Sequence, residues 1–572
     1  MQTDHAAAPE ALQSPSAVRD DRLAVACQVL NFERARAGRG DSIRTYAAHH
    51  DLKRTTLQDR ILAARDDGLP AGYSAFFETD VGHHFALKLV VSVLVLFVLR
   101  AGCSVETVAL FFQALGLQRF LASSPSSLRR LFDKILAHTE RWGQLQFERL
   151  APSMPKRDVV LALDENFHWD KMLLVLMDTG SGFLFGEEQS DSRDAQVWEN
   201  TVRTSLEGYN VSLCAVTRDG GTWLGACAQR LNVPAGPDVF HIQHGVCKAS
   251  ARPMALRVTR AKKALEQSER ALTTLRAERA LAAKAPRPRG RPLNWEGREQ
   301  QAEREVAAAK AHVTTMEAER EAMRSSIRAL GDAHHPVDLV TGESVSAEQV
   351  RERLQNVSET MAEHAARANL GRLAIQALNG VFSRLDELST MVGWWHRQLR
   401  LRLERLPLPE GELKWVERAL MPALYVHHRI SLGRDAEARA SLKALWERLR
   451  VELESSGSPW RGWPRGLQQA VQRVVQSWVR LFPRSTSGLE GHNGQDSLCQ
   501  HQRHRLSPAF RRARIVVRNY VICRPDGTTA AQRLFGKAPS DLIEHLCQHI
   551  KLPGRGRRRQ PRENRPILAL TA

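Results

Sequence analysis

Short apolar runs between residues 158 and 243 have the length and the side-chain alternation of β-strands. They read DVVLALDE, KMLLVLMD, GFLFGEEQ, VSLCAVTRD and DVFHIQ. Helical periodicity separates the later runs, first in RDAQVWENTVRTSLEG and then from about Gly221 to Leu231. The pattern predicts three consecutive antiparallel strands followed by two helix–strand repeats, and therefore a mixed five-stranded sheet.

The order βββαβαβ is that of the RNase H-like fold, so we expect an α/β core of this type. The remaining chain follows helical periodicity. Residues 252–330 are rich in Ala, Glu, Lys and Arg and are broken once by AKAPRPRGRPLNW, which predicts an antiparallel coiled-coil hairpin. Residues 345–480 also follow a helical pattern and carry seven tryptophans, enough aromatic mass for a core. We expect this all-helical insertion to interrupt the core.

The apolar run from Leu89 to Leu99 is flanked by Lys88 and Arg100. It is shorter than the ~20 residues that a bilayer span requires, so it predicts a buried helix and no membrane association.

Eight segments are predicted. They are a disordered lead (1–21), a helix-turn-helix (22–70), a helical second DNA-binding or linker unit (71–150), the first part of the core (151–250), the hairpin (251–330), the helical insertion (331–480), the last part of the core (481–553) and a basic tail (554–572).

Charge favours a polyanionic partner. The formal net charge is +19, with 82 Lys and Arg against 63 Asp and Glu, and nucleic acid is the natural candidate. A basic protein that merely stays soluble is the alternative. Eight scattered cysteines indicate reduced thiols, and the N-terminus lacks the apolar core of a signal peptide. We therefore expect a cytoplasmic, nucleoid-associated protein.

The segment DSIRTYAAHHDLKRTTLQDRILAARDDG has the form of a helix-turn-helix, with a second helix opening near Thr55. In this interpretation four residues of that helix reach base edges or phosphates: Arg54, Thr56, Gln58 and Arg60. The predicted core consists of Ile43, Tyr46, Ala47, Leu52, Leu57 and Ile61. An ordinary helical hairpin is the alternative. The helix carrying Arg129 and Arg130 is open to the same two interpretations.

Three acids occupy the places that two-metal phosphodiester chemistry requires, since at least three carboxylates must converge on the ions. Asp164 ends the run VVLALD, Asp219 ends VSLCAVTRD, and Glu490 begins a helix after the insertion. Turn or capping roles are the alternative for each acid taken singly. Asp496 is a rival third ligand, whereas Glu165 and Asp178 fit turn or supporting roles.

The motifs DVVLALDENFH, TRDGG, DVFHIQHGVCKAS, SGLEGHNG and RNYVICRPDGTTAAQRLFG resemble those of bacterial insertion-sequence DDE transposases. The resemblance spans most of the chain. It implies an RNase H-like catalytic domain and Mg²⁺ dependence, with two ions per site and Mn²⁺ as a substitute. It also implies metal ligation by Asp164, Asp219 and Glu490. The Tyr, Arg and Lys that flank the third acid in one transposase subgroup are lacking, so that subgroup is not supported.

Two further segments carry candidate DNA contacts. His241 and His244 in FHIQH lie where they could touch the DNA backbone, with a structural histidine as the alternative for each. Arg289 and Arg291 lie in PRGRP, which resembles the minor-groove peptide of an AT-hook, although a break between two helices would have similar composition.

Together these features predict a transposase that binds terminal inverted repeats and target DNA, cleaves a strand and transfers its 3′-end. Bringing two ends together implies a homodimer or a larger assembly. Two alternatives remain open: a catalytically silent DNA-binding regulator derived from a transposase, and a structure-specific nuclease on the same fold.

Overall fold

A computed structural model describes residues 17–66, 71–168, 171–284, 292–433, 435–484, 486–503 and 506–552. The chain forms two compact units. One comprises Met1–Pro155 and Gly494–Ala572, and the other Lys156–Asn493. The sequence placed 481–553 with the sheet, but the unit that contains the sheet ends at Asn493.

The N-terminal helices are α1 (Ala17–Arg39), α2 (Ile43–His49), α3 (Arg54–Asp66), α4 (Ala71–Glu78), α5 (Asp80–Val93), α6 (Val105–Ala114) and α7 (Pro125–Leu150). The next elements are β1 (Arg157–His168), β2 (Lys171–Asp178), β3 (Leu184–Ser190), α8 (Ala195–Leu206), β4 (Val211–Arg218), α9 (Thr222–Arg230) and β5 (Ala235–Pro237).

The helices that follow in the described part of the chain are α10 (Val239–Ala282), α11 (Trp295–Ala333), α12 (Ala347–Arg367), α13 (Arg372–Phe382), α14 (Leu385–Leu403), α15 (Glu410–Trp415), α16 (Met421–Ile430), α17 (Ala436–Leu453), α18 (Pro459–Gly462) and α19 (Arg465–Val479). The last helices are α20 (Ser487–Arg503), α21 (Pro508–Tyr520), α22 (Ala530–Phe535) and α23 (Leu542–His549). Single π-helical turns, Leu94–Arg100 and Val416–Leu420, continue α5 and join α15 to α16.

The predicted mixed five-stranded sheet is confirmed. Its strand order is β3-β2-β1-β4-β5, with β1–β2 and β2–β3 antiparallel and β1–β4 and β4–β5 parallel. The fifth strand was misplaced, because DVFHIQ is not a strand. The Asp238 side chain accepts a hydrogen bond from the Phe240 N–H at 2.7 Å, which caps α10 and starts the helix at Val239.

Alternation along β1 gives the sheet two buried faces. Leu161 and Leu163 pack with α8 and α9 through Trp198, Val202 and Leu224. Val160 points to the other face, where it joins a core that includes Val239 and Ile242 of α10. Because neighbouring side chains of a strand alternate, Asp164 continues the Val160 face.

A reciprocal pair of tryptophans fixes the core of the helical insertion. The Trp395 indole N–H donates to the Trp478 carbonyl at 3.3 Å, and the Trp478 indole N–H donates to the Trp395 carbonyl at 3.0 Å. The Arg402 guanidinium lies 3.9 Å from the centre of the Trp478 ring and forms a 2.7 Å ion pair with Asp158 of β1. The insertion is thereby tied to the first strand of the sheet.

The two long helices predicted from composition, α10 and α11, pack against each other. Val258, Ala261, Val313 and Met316 form their buried seam, and Arg276 forms ion pairs with Glu299 and Glu303. The first helix begins at Val239, earlier than the predicted start of the hairpin.

The helix Asp80–Arg100 is longer than its apolar run suggested. Among the described residues it is the one helix that is long and apolar enough to cross a membrane, and half of it is buried inside the protein. Val90, Val91, Leu94 and Val98 are fully buried. Lys88 within it forms an ion pair with Glu544. This burial agrees with the predicted core helix and is compatible with a water-soluble protein.

We predict that Trp478→Ala lowers the free energy of unfolding by about 3–5 kcal/mol, because the change leaves a cavity and removes the hydrogen bond that the Trp478 indole donates to the Trp395 carbonyl. Urea denaturation followed by far-UV circular dichroism measures the loss. Trp446→Ala is the control, since Trp446 is only partly buried, and it should cost less. Equal losses for the two variants would contradict the assigned role of the tryptophan pair.

Candidate active site

Parallel pairing of β1 with β4 places two acids side by side. The last paired residues are Leu163 of β1 and Arg218 of β4. Asp164 follows Leu163 in β1, and Asp219 comes directly after β4. Asp164 is 8% exposed and Asp219 is half-buried. Asp164 does not end its strand as predicted, because residues 165–168 go on pairing with β2.

Glu490 supplies a third carboxylate from the first turn of α20. Burial, followed by the charge of Glu490 and to a smaller extent that of Asp219, raises the pKa of Asp164 to about 7. The structure therefore brings together all three acids that the sequence selected.

Three short-range donors hold the two aspartates. The Glu165 N–H donates to Asp164 Oδ1 at 2.9 Å, and Asn493 Nδ2 donates to Asp164 Oδ2 at 2.7 Å. The Gly221 N–H donates to Asp219 Oδ1 at 2.8 Å. Each carboxylate oxygen carries two lone pairs, so these bonds leave acceptor capacity for a ligand.

A buried aspartate, Asp238, connects β5, α10 and the entry to α20. Its carboxylate receives hydrogen bonds from the Thr486 hydroxyl and, at 2.9 Å, from His241 Nδ1. The other ring nitrogen of His241 lies 3.4 Å from Glu490 Oε1. The hydrogen bond to Asp238 raises the pKa of His241. His241 thus links the fully buried Asp238 to the third acid.

Close packing fixes α20 against the sheet. A Cβ at Gly488 would lie 2.9 Å from the methyl group of Met177, so glycine permits this approach. Leu489 is fully buried. The Nε2 atom of His492 lies 3.2 Å from the Oε2 atom of Glu187 in β3. Glu490 therefore stands on a helix whose position is set by contacts with two strands.

The other acids weighed in the sequence have separate partners. Asp496 forms a 2.7 Å ion pair with Arg514. Glu165 accepts a hydrogen bond from the Trp223 indole and lies 3.7 Å from Arg193. Asp178 accepts two hydrogen bonds from Ser181 in the turn after β2. These contacts match the turn and supporting roles expected of Glu165 and Asp178.

The donor set fits divalent cations. Mg²⁺ prefers carboxylate oxygens, and Glu490 and Asp219 lie near enough to Asp164 for their charges to raise its pKa, whereas the charge of His241 lowers it. The raised pKa of Asp164 reflects burial first and the like charge of Glu490 second, and a divalent cation bound beside Asp164 would oppose both effects. Asp164, Asp219 and Glu490 would hold the ion.

The predicted DNA contacts differ in accessibility. His244 is exposed and stacks on Phe240, whereas His241 is half-buried in the site.

In the predicted helix-turn-helix, Arg54 and Gln58 are exposed and Thr56 is half-buried. Arg60 donates a hydrogen bond to Gln28 of α1. The small core predicted for this segment is present, completed by Val29, Phe32 and Ala35 of α1. Arg289 and Arg291 lie outside the described residues.

Asn493, Asp238 and Thr486 were not recognised in the sequence. Asn493 lies three residues after Glu490 and therefore on the same side of the helix, which is a usable signal. Asp238 follows a proline before an apolar helical segment, as N-capping residues do, but the segment was interpreted as a strand.

Comparison with known families matches residues 416–562 to DUF6399, described as a family of unknown function. The match includes Glu490 and Asn493 but neither aspartate of the sheet. No curated protein matches the chain.

We predict that, with EDTA present, Asp164→Asn raises the thermal midpoint at pH 8 and that the gain disappears as the pH falls to about 4. The pKa of Asp164 is 3.8 in the unfolded chain and about 7 in the folded protein. Between these pH values the unfolded chain loses the proton and the folded protein keeps it, so the wild-type fold becomes less stable as the pH rises. The gain corresponds to at most about 4 kcal/mol. Asp191→Asn, on an exposed bend, is the control and should show no such pH dependence. A pH-independent effect of Asp164→Asn would refute the assignment.

Proposed function

We propose that the chain is a DDE-type DNA transposase with an RNase H-like catalytic core. The observation that carries the proposal is the placement of Asp164 and Asp219 directly after the last paired residues of the parallel strands β1 and β4, with Glu490 brought near Asp164 by α20. The strand order β3-β2-β1-β4-β5 and its directions are those expected of an RNase H-like sheet.

The three acids would bind two Mg²⁺ ions, or Mn²⁺ in their place. When bound, such ions stabilise the charge that develops on the attacking and leaving oxygens of a phosphodiester. The protein groups orient the ligands: Asn493 and the Glu165 N–H hold Asp164, the Gly221 N–H holds Asp219, and His241 approaches Glu490. Ordered ligands reduce the reorganisation required during reaction.

The expected substrates are the terminal inverted repeats of the element and the target DNA, bound by a homodimer or a larger assembly. The net charge of +19 supports a nucleic-acid partner. The helices α2 and α3 support end recognition, since Arg54 and Gln58 lie one turn apart and exposed on α3. A nucleoid-associated location would follow from this binding.

We expect the wild-type protein to cleave and join a DNA fragment carrying the ends of its element in the presence of Mg²⁺ or Mn²⁺. Asp164→Asn, Asp219→Asn and Glu490→Gln should each reduce the rate by at least about a hundredfold, because each removes a metal ligand worth several kcal/mol. Gel assays of labelled strands measure both steps, and anisotropy measures DNA binding, which all three variants should retain.

Glu207→Gln, an exposed change in the same unit, is the matched control and should react normally. Wild-type binding without cleavage would overturn the proposal in favour of a DNA-binding regulator. Cleavage of branched DNA without joining would favour a nuclease.

We also predict that Arg54→Ala weakens binding to the element ends by about tenfold or more relative to random DNA, since one base contact contributes about 1–3 kcal/mol of discrimination. Arg36→Ala removes the same charge from the exposed end of α1 and should lower both affinities alike. Competition anisotropy with the two duplexes separates these effects. If the ratio of affinities for the element ends and for random DNA is the same in the two variants, Arg54 does not take part in sequence recognition.

A further inference from the structure

A basic stripe follows one side of α7. Arg130, Lys134, His138 and Arg141 lie within about 80° of arc, because each residue turns an α-helix by about 100°. Arg130, Lys134 and Arg141 are exposed, and His138 is half-buried. The stripe extends about 16 Å along the helix axis, roughly the length of five base pairs of DNA.

Helix α23 adds two histidines beside the stripe. The ring centres of His138 and His549 are 5.7 Å apart, and those of His549 and His545 are 4.2 Å apart. The Trp142 indole donates to the Ser540 hydroxyl at 3.2 Å just before α23 begins, which holds the two helices together. Three imidazoles and three cationic side chains thus share one surface of this unit.

None of these six groups forms an ion pair among the described residues, unlike several of their neighbours. Glu140 of α7 is paired with Arg512, and Glu544 of α23 is paired with Lys88 of α5. Asp541 accepts a hydrogen bond from the Glu544 N–H and caps α23. Glu140 and Glu544 therefore have other partners, and no acid among the described residues forms an ion pair with the basic surface.

The histidines repel one another and the other cations. Burial, then His549 and then Arg141 and Lys134 lower the pKa of His138. Burial, then His549, His138 and Arg141 lower the pKa of His545 to about 4. His545 Nε2 is buried and has no hydrogen-bond partner among the described residues. A cation at this position would add to the repulsion, whereas an anion would remove it.

We infer that the surface formed by Arg130, Lys134, His138, Arg141, His545 and His549 binds backbone phosphates of double-stranded DNA, independently of base sequence. The inference rests on DNA as the ligand of the proposed function, but it does not require strand cleavage. Phosphate charge raises the pKa of nearby histidines, so binding takes up protons and should strengthen as the pH falls from 8. The affinity should stop rising near pH 4, because the pKa of His545 in the free protein is lowered to about 4.

The test is fluorescence anisotropy of a labelled 20-base-pair duplex of arbitrary sequence, in EDTA, over a range of salt concentrations. Lys134→Ala/Arg141→Ala should reduce the slope of log affinity against log salt by about 0.9 for each lost phosphate contact, and so by about 1.8 in all. Arg129→Ala is the control on the same helix, because Arg129 is already paired with Glu106 and should leave the slope nearly unchanged. A slope for the double variant equal to that of the control would overturn the inference, as would no DNA binding by the wild type.

The proton linkage is tested with His545→Gln/His549→Gln, which keeps polar side chains of similar size. Wild-type affinity should rise severalfold from pH 8 to pH 5, and this rise should be smaller in the double variant, which keeps only His138, while binding at pH 8 persists. Identical pH profiles would exclude the histidines. If the wild type cleaves DNA but Lys134→Ala/Arg141→Ala leaves the salt slope unchanged, only the proposed DNA-binding surface is refuted. If the double variant reduces the salt slope but the wild type does not cleave DNA, only the proposed reaction is refuted.

Discussion

Negative charge concentrated where the β1–β4 pairing ends is the constraint that the rest of the sheet unit has to accommodate. Parallel register makes Asp164 and Asp219 neighbours, and α20 adds Glu490. Without bound cations this arrangement is unfavourable, as the raised pKa of Asp164 indicates. It persists because the surrounding packing is specified independently of the acids. Groups that lower the stability of the fold at the place where they are held are typical of functional sites.

Asp238 is the main link between this charge and its scaffold. It caps α10, accepts a hydrogen bond from Thr486 and holds His241 beside Glu490. One buried carboxylate therefore joins the end of the sheet to two helices that are far apart in sequence. Its own charge is compensated by hydrogen bonds, as a fully buried carboxylate requires.

The sequence predicted what local patterns determine. Strand β2 was assigned with the observed bounds and the element order was correct. The three acids were selected from the ends of apolar runs and from a helix start, although β1 continues past Asp164. The errors arose where a local pattern was ambiguous. DVFHIQ alternates like a strand, yet Asp238 caps a helix, and a capped apolar segment of six residues fits both structures.

Other features depend on tertiary contacts that no periodicity encodes. Asn493 could be placed on a helix, but its hydrogen bond to Asp164 depends on the approach of α20 to β2, which Gly488 permits. The division of the chain after Asn493 likewise could not be predicted, because a continuous helix carries no compositional break at that point.

The long helical stretch between Asp219 and Glu490 has a consequence for biosynthesis. A ribosome synthesises it in on the order of tens of seconds, and during that time the nascent chain holds two acids of the cluster but lacks the third. The insertion packs on β1 through Arg402 and Asp158, and both of these residues are synthesised before α20. A chain terminated before Glu490 would therefore lack the third acid of the cluster.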